Sequence, residues 1–249
     1  MNKSIKRMTA QQHNTLMQVL FAREIENSVQ NSKIYGDVNE IKEDHLPIQI
    51  FKNTDSVSAL FDVYDSNKKI CLLNFASYRH PGGGFINGSM AQEEALCHES
   101  TLYEVISDVK FKEYYDWNNE HLNNSLYLDR AIYSPDIIFT RDKSIKIDVL
   151  TCAAPNIGFS NSELKEENYE ILKQRMQFIS NILEENKVNI FIAGAFGCGV
   201  FGQNPNEVAS IWKSGLKYGS SLKTIVHAVP GNDKNAIEFA ELFVNKQES

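Results

Sequence analysis

Apolar runs of strand length at Ile70 to Phe75, Asn189 to Gly194 and Leu222 to Ala228 constrain this chain most. They lack the polar alternation of a half-solvated strand, so such strands need cover on both faces. Helical patterns at Lys165 to Glu185, Asn204 to Lys217 and Asp233 to Val244 supply that cover between and after them. The alternation predicts an α/β layered sandwich with ligand loops at strand ends. Further strands are expected at Ala131 to Tyr133, Ile137 to Thr140 and Ile147 to Ala153, and a short one where Ile48, Ile50 and Phe51 alternate.

Toward the N-terminus, Leu16, Met17, Leu20, Phe21 and Ile25 share one helical face between Thr9 and Asn31 and predict a docking helix. A region punctuated by Gly36-Asp37 and Pro47 follows it. The division read from this is a helical extension over residues 1–55, packed on a main domain over 56–249. The aromatic, acidic stretch Phe111 to Asn123 reads as a helix whose Tyr114, Tyr115 and Trp117 either pack inward or roof a cleft.

A hydrophobic fraction of 42% in 249 residues suffices for one substantial domain, and a net charge of −7 argues against broad attraction to nucleic-acid phosphates. Cys71, Cys97, Cys152 and Cys198 have neither Cys-x-x-Cys nor zinc-site spacing, so free thiols in a reducing compartment are expected. The histidines form no i,i+4 ligand pair, and neither a metal nor a cofactor is expected. With no long apolar span and no leader-like N-terminus, the expectation is a cytoplasmic protein that stays off membranes, read as a monomer.

The chemistry concentrates around Gly82-Gly83-Gly84, which follows Pro81 and precedes Gln92-Glu93-Glu94. Glycines bring backbone N–H groups close to an anion or a sugar where bulkier residues would block approach. Glu93 and Glu94 fall in the first turn of a predicted helix, where acidic residues also suit the helix dipole with no chemical role. Consecutive helical residues diverge by about 100°, so the two carboxylates are expected to face differently and do different work. A second loop, Phe196 to Gly202, follows the strand at Asn189 to Gly194 and precedes a helix. There Gly197 and Gly199 suit a nest of N–H donors, and Phe201 offers an apolar plate. Neither a nucleophile elbow around Ser89 or Ser100 nor a Walker lysine is present.

The order of these motifs resembles the Gly-Gly-Gly, then Gln-Glu-Glu signature of the bacterial-type poly(ADP-ribose) glycohydrolases, a branch of the macrodomains. The resemblance spans roughly residues 70–229. It implies a macrodomain-like three-layer α/β/α sandwich with a mixed sheet and an N-terminal helical extension. It also implies hydrolysis of the ribose–ribose bond of poly(ADP-ribose). On this resemblance Glu94 is the catalytic acid, needing burial and the Glu93 charge to raise its pKa, and Glu93 anchors a ribose hydroxyl. Asn74, Gly82, Gly83, Gly84 and Gln92 are implied to bind substrate, and Asn74 to orient the scissile ribose. Gly197, Cys198, Gly199, Val200 and Phe201 are implied to hold the diphosphate and restrict a ribose. ADP-ribose or ADP-ribosylated macromolecules are the implied partners. Mono-ADP-ribosylated or cyclic substrates, and a non-catalytic ADP-ribose reader, remain open alternatives.

Overall fold

The structure is a computed structural model that describes residues 3–158 and 165–244. Contact density divides the chain into two units, each assembled from separate stretches. One comprises Met1–Gly36, Leu73–Leu122 and Arg130–Ala153; the other comprises Asp37–Leu72, Asn123–Asp129 and Ala154–Ser249. The sequence boundary at residues 55 and 56 falls inside the stretch Asp37–Leu72.

The first unit is built on an antiparallel pair, β4 (Ala131–Thr140) and β5 (Ser144–Cys152), with β1 (Lys33–Tyr35) antiparallel to β4. β4 is one strand where two strands separated by a turn were expected. Its register shifts between Ser134 and Ile137 because Pro135 has no N–H to pair and Asp136 adopts a φ of 61°. Asp148 on β5 holds the bulge, taking a hydrogen bond from Asp136 N at 3.1 Å and another from the Tyr133 hydroxyl. Ser28 of α1 (Lys3–Asn31) donates to the carbonyl of Pro135 at 2.6 Å.

α1 begins earlier than its apolar pattern suggested and kinks at Phe21. Its inward face is only partly the one expected: of the five residues Met17 is buried and Phe21 and Ile25 are half-buried. Ala10, Met17 and Ser28 are buried, whereas Leu16 and Leu20 are 50% and 57% exposed. The buried stripe mixes small and polar residues, which hydrophobicity alone does not mark. This unit also holds α3 (Gln92–His98), α4 (Leu102–Ile106) and α5 (Lys112–Glu120). On α5, Tyr114 and Tyr115 pack inward, while the partly exposed Trp117 stacks on His121 with the Arg130 guanidinium over its ring.

The second unit is parallel. β2 (Ile48–Lys52) pairs with β7 (Thr224–Ala228), β7 with β6 (Ile190–Ala193), and β6 with Ile70 to Leu72 of β3 (Ile70–Phe75). Phe191, Ile192, Ile225 and Val226 are buried as their uninterrupted apolar runs require. Three helices start where cap chemistry places them. Asp55 caps α2 (Ser56–Val63), Asn204 caps α7 (Pro205–Ser210) with Pro205 in the first turn, and Asp233 caps α8 (Lys234–Phe243). α7 runs into a π-helical turn at Ile211–Gly215, which carries the fully buried Trp212. His227 is a core histidine: it stacks on Phe243, pairs with Gln49 at 2.9 Å, and burial pushes its pKa down to about 3.

On α6 (Lys165–Glu185) the Arg175 side chain is 1% exposed and ion-paired with Asp129. Removing one member of such a pair leaves a buried charge without its counterion. Asp129→Ala should therefore lower stability by about 3 kcal/mol in equilibrium urea unfolding, and Asp129→Leu with Arg175→Met should recover most of that.

Candidate active site

The first turn of α3 is stitched to the end of β3 by consecutive side chains. Gln92 accepts from Phe75 N at 2.9 Å and donates to Leu73 O at 2.8 Å, supplying the strand end with the partners a neighbouring strand would give. Glu93, only 3% exposed, accepts from Asn74 Nδ2 at 3.1 Å and Ser77 N at 2.7 Å. Glu94, 6% exposed, accepts from Gly84 N at 2.8 Å and reaches back to the N-cap donor Ala91 N at 2.9 Å. Gln92 thus fastens the helix start to the end of β3.

The two carboxylates converge where divergence was expected. Gly83 has a φ of +56°, and a Cβ on it would lie 2.8 Å from Glu94 Oε1 and 3.0 Å from Glu93 Oε2. Backbone positions set 100° apart do not separate the head groups, because glutamate side chains are long enough to curl over the same glycine. Only a residue without Cβ fits between them. Each carboxylate nevertheless has its own donors, so their tasks differ.

Burial pushes the Glu93 carboxyl from 4.5 up to about 8, and the charge of Glu94 adds to the rise. The Ser77 N–H and the Asn74 amide oppose it without overcoming it. Asn74 itself is fully buried; its Nδ2 also lies 3.3 Å from Thr151 Oγ1, and its Oδ1 has no protein partner.

The loop after β6 lies in the second unit and is shaped by crowding. At Gly197, φ is +75°, and a Cβ would lie 2.7 Å from Ala154 Cβ and 2.8 Å from Gln203 Cγ. Gln203 is pinned in turn, donating to Pro155 O at 2.7 Å and exchanging amide hydrogen bonds with Asn168. Gly199 differs from the expectation: its φ is not left-handed and nothing lies within 4 Å of an added Cβ. The left-handed glycines of this loop are Gly197 and Gly202. Val200 is 72% exposed, Phe201 half-buried, and the Cys198 thiol is pushed up to about 12 by burial, far from a reactive thiolate.

Several contributors carried no recognisable signal in the sequence. Ser77 and Thr151 act by main-chain position and by a single hydroxyl, and Gln203 and Asn168 work only as a pair brought together by the fold. Cys71, Cys97 and Cys152 are buried free thiols, and Cys198 is free and half-buried. Among the described residues no cluster of metal-ligating side chains occurs, and no helix is long and apolar enough to cross a membrane.

The chain is similar in fold to solved bacterial enzymes. Poly(ADP-ribose) glycohydrolase from Thermomonospora curvata, bound to the inhibitor ADP-HPD, superposes with a TM-score of 0.82 at 23% identity, covering 96% of this chain and 99% of that one. The poly(ADP-ribose) glycohydrolase from Deinococcus radiodurans in complex with ADP-ribose gives a TM-score of 0.74 at 22% identity, covering 87% and 96%. No curated protein matches the chain significantly. The family described as microbial-type PARG, catalytic domain, matches residues 3–142, which is more than half of the 249. The chain therefore belongs to the microbial-type poly(ADP-ribose) glycohydrolase catalytic domain family.

Proposed function

We propose that this chain hydrolyses the ribose–ribose O-glycosidic bond of poly(ADP-ribose) and releases ADP-ribose, with Glu93 and Glu94 acting as one acid that holds a single proton near neutral pH. The observation that carries this reading is the pair of buried carboxylates closing over Gly83 in a chain of this family. Burial holds a proton on Glu93 that an exposed glutamate would lose, and the neighbouring Glu94 charge adds to this, so the pair retains a proton.

Glu94 passes that proton to the glycosidic oxygen as the bond to the anomeric carbon breaks. Water then adds to the oxocarbenium carbon and returns a proton to Glu94, so the acid is regenerated. Glu93 keeps the proton available and anchors a ribose hydroxyl, and Asn74, whose amide donates to Glu93, orients the scissile ribose through it. Main-chain groups of Gly82 to Gly84 bring the ribose close, and those of Gly197 to Phe201 hold the diphosphate. Phe201 packs on a ribose. Gly199, which neighbouring protein atoms leave open, gives the diphosphate room to approach the main chain.

Glu94→Gln should lower kcat for ADP-ribose release about 10²- to 10⁴-fold while calorimetry still records ADP-ribose binding. Turnover like that of the wild type would remove Glu94 from the mechanism. Gly83→Ala should abolish turnover in the same assay and lower the melting temperature, since the new methyl group would meet both carboxylates at a left-handed φ. An active Gly83→Ala enzyme would show that the pair need not close over this residue.

The proton on Glu93 has a signature in pH. Its folded pKa of about 8 lies above the ordinary 4.5, so the folded chain holds a proton that the unfolded chain releases. The stability it contributes is complete below about 4.5 and is lost as pH rises through 8. Glu104, raised by burial to about 7, has the same sign, so Glu93→Gln should flatten only part of the fall measured by urea unfolding. In the wild type, kcat should decline as pH passes about 8; a rate still rising there would contradict the shared-proton acid.

A further inference from the structure

We propose that Tyr127 is a positioning residue for substrate: a backbone-strained turn holds its ring edge against Phe201 and fixes the pose of the plate on which the ribose packs. The inference rests on the reading of Phe201 given above and adds a residue that no motif marked.

Residues 123–127 contain an unusual run of left-handed backbone. Asn123, Asn124, Ser125 and Tyr127 have φ values of 45°, 52°, 69° and 61°. Asparagine tolerates this region, but a bulky residue such as tyrosine is a true outlier there. Such strain persists only where surrounding structure over-determines it, and it concentrates at ligand clamps. Here the turn is closed by Leu126 N donating to Asn123 O at 2.8 Å and by Asn123 Nδ2 donating to Tyr127 O at 3.3 Å.

The strained turn is wired to the diphosphate loop within the second unit. Asn156 N donates to Ser125 O at 2.8 Å, and the next residue, Ile157, donates its N–H to Phe201 O at 2.9 Å. A Cβ on Gly158 would lie 2.7 Å from Val200 O, so the strip 156–158 is pressed against the loop it supports. The Tyr127 and Phe201 rings then meet edge to face, with centroids 6.1 Å apart and planes at 62°. Tyr127 is 6% exposed while Phe201 is only half-buried. The supported ring is therefore the accessible one and the supporting ring the buried one, the arrangement of a backing residue rather than a second contact surface.

A double-mutant cycle on ADP-ribose binding tests this, using Tyr127→Ala, Phe201→Ala and the double variant, with kcat and KM measured on polymer. Tyr127→Ala should weaken ADP-ribose binding and raise KM roughly three- to tenfold, the usual worth of one edge-to-face aromatic pair. It should change kcat less, and Tyr127→Phe should restore wild-type values. In the Phe201→Ala background the loss of Tyr127 should cost little more, because there is no longer a ring to hold. Fully additive losses, or wild-type binding by Tyr127→Ala, would overturn the proposal. If Phe201→Ala alone binds ADP-ribose as the wild type does, the reading of Phe201 falls and takes this inference with it. Should the alanine variant not fold, Tyr127→Leu keeps apolar volume without an aromatic edge; wild-type binding by folded Tyr127→Leu overturns the proposal equally.

Discussion

A carboxylate removed from water at the end of a strand is the constraint around which the carboxylate half of this site is arranged. Glu93 is almost wholly buried and can remain so only because Asn74 and the Ser77 N–H address its oxygens and because it holds a proton to about pH 8. Each condition requires something of the surrounding chain. The strand must end at Phe75 so that Ser77 can turn its N–H inward, and α3 must begin at Gln92 so that its amide fastens the strand end. Gly83 must lack a side chain so that Glu94 can close over the same point. Strand end, glycine loop and helix start therefore form one physical unit, and none of the three motifs is optional for the others.

The loop after β6 obeys a different rule, steric rather than electrostatic. Gly197 lies between Ala154 and the Gln203 side chain, and Gln203 is locked by reciprocal amide bonds with Asn168 and by Pro155 O. Main-chain N–H groups can serve a ligand only if they are not used within the protein and do not move, and a close-packed backing secures the second condition. The left-handed turn at 123–127 extends the same backing to an aromatic ring. Glycine supplies shape at positions 197 and 202, whereas at 199 it supplies only open space.

Much of the fold is legible in the chain because it depends on local rules. Uninterrupted apolar runs such as Phe191 to Ala193 mark strands buried on both faces, and Asp55, Asn204 and Asp233 announce the helices they cap. The misreadings share one cause. The bulge at Pro135 and Asp136 looks like a turn because its repair comes from Asp148, on the next strand. The inward face of α1 departs from its apolar pattern at Leu16 and Leu20, because what it packs on is set by β4 and α4. The π-helical turn at Ile211–Gly215 follows α7 without a break and has no sequence marker at all.

The sequence by itself determined where the candidate site lies, since Gly82 to Gly84, Gln92 to Glu94 and Gly197 to Phe201 are contiguous motifs whose residue types follow local backbone need. Only the tertiary structure decided how the tasks divide among them. It fastened Gln92 to the end of β3, brought both glutamates over one glycine, and raised the proton affinity of Glu93 by burial. The physical reason is that a carboxyl's proton affinity depends on burial and on donors distant in the chain, and linear order encodes neither.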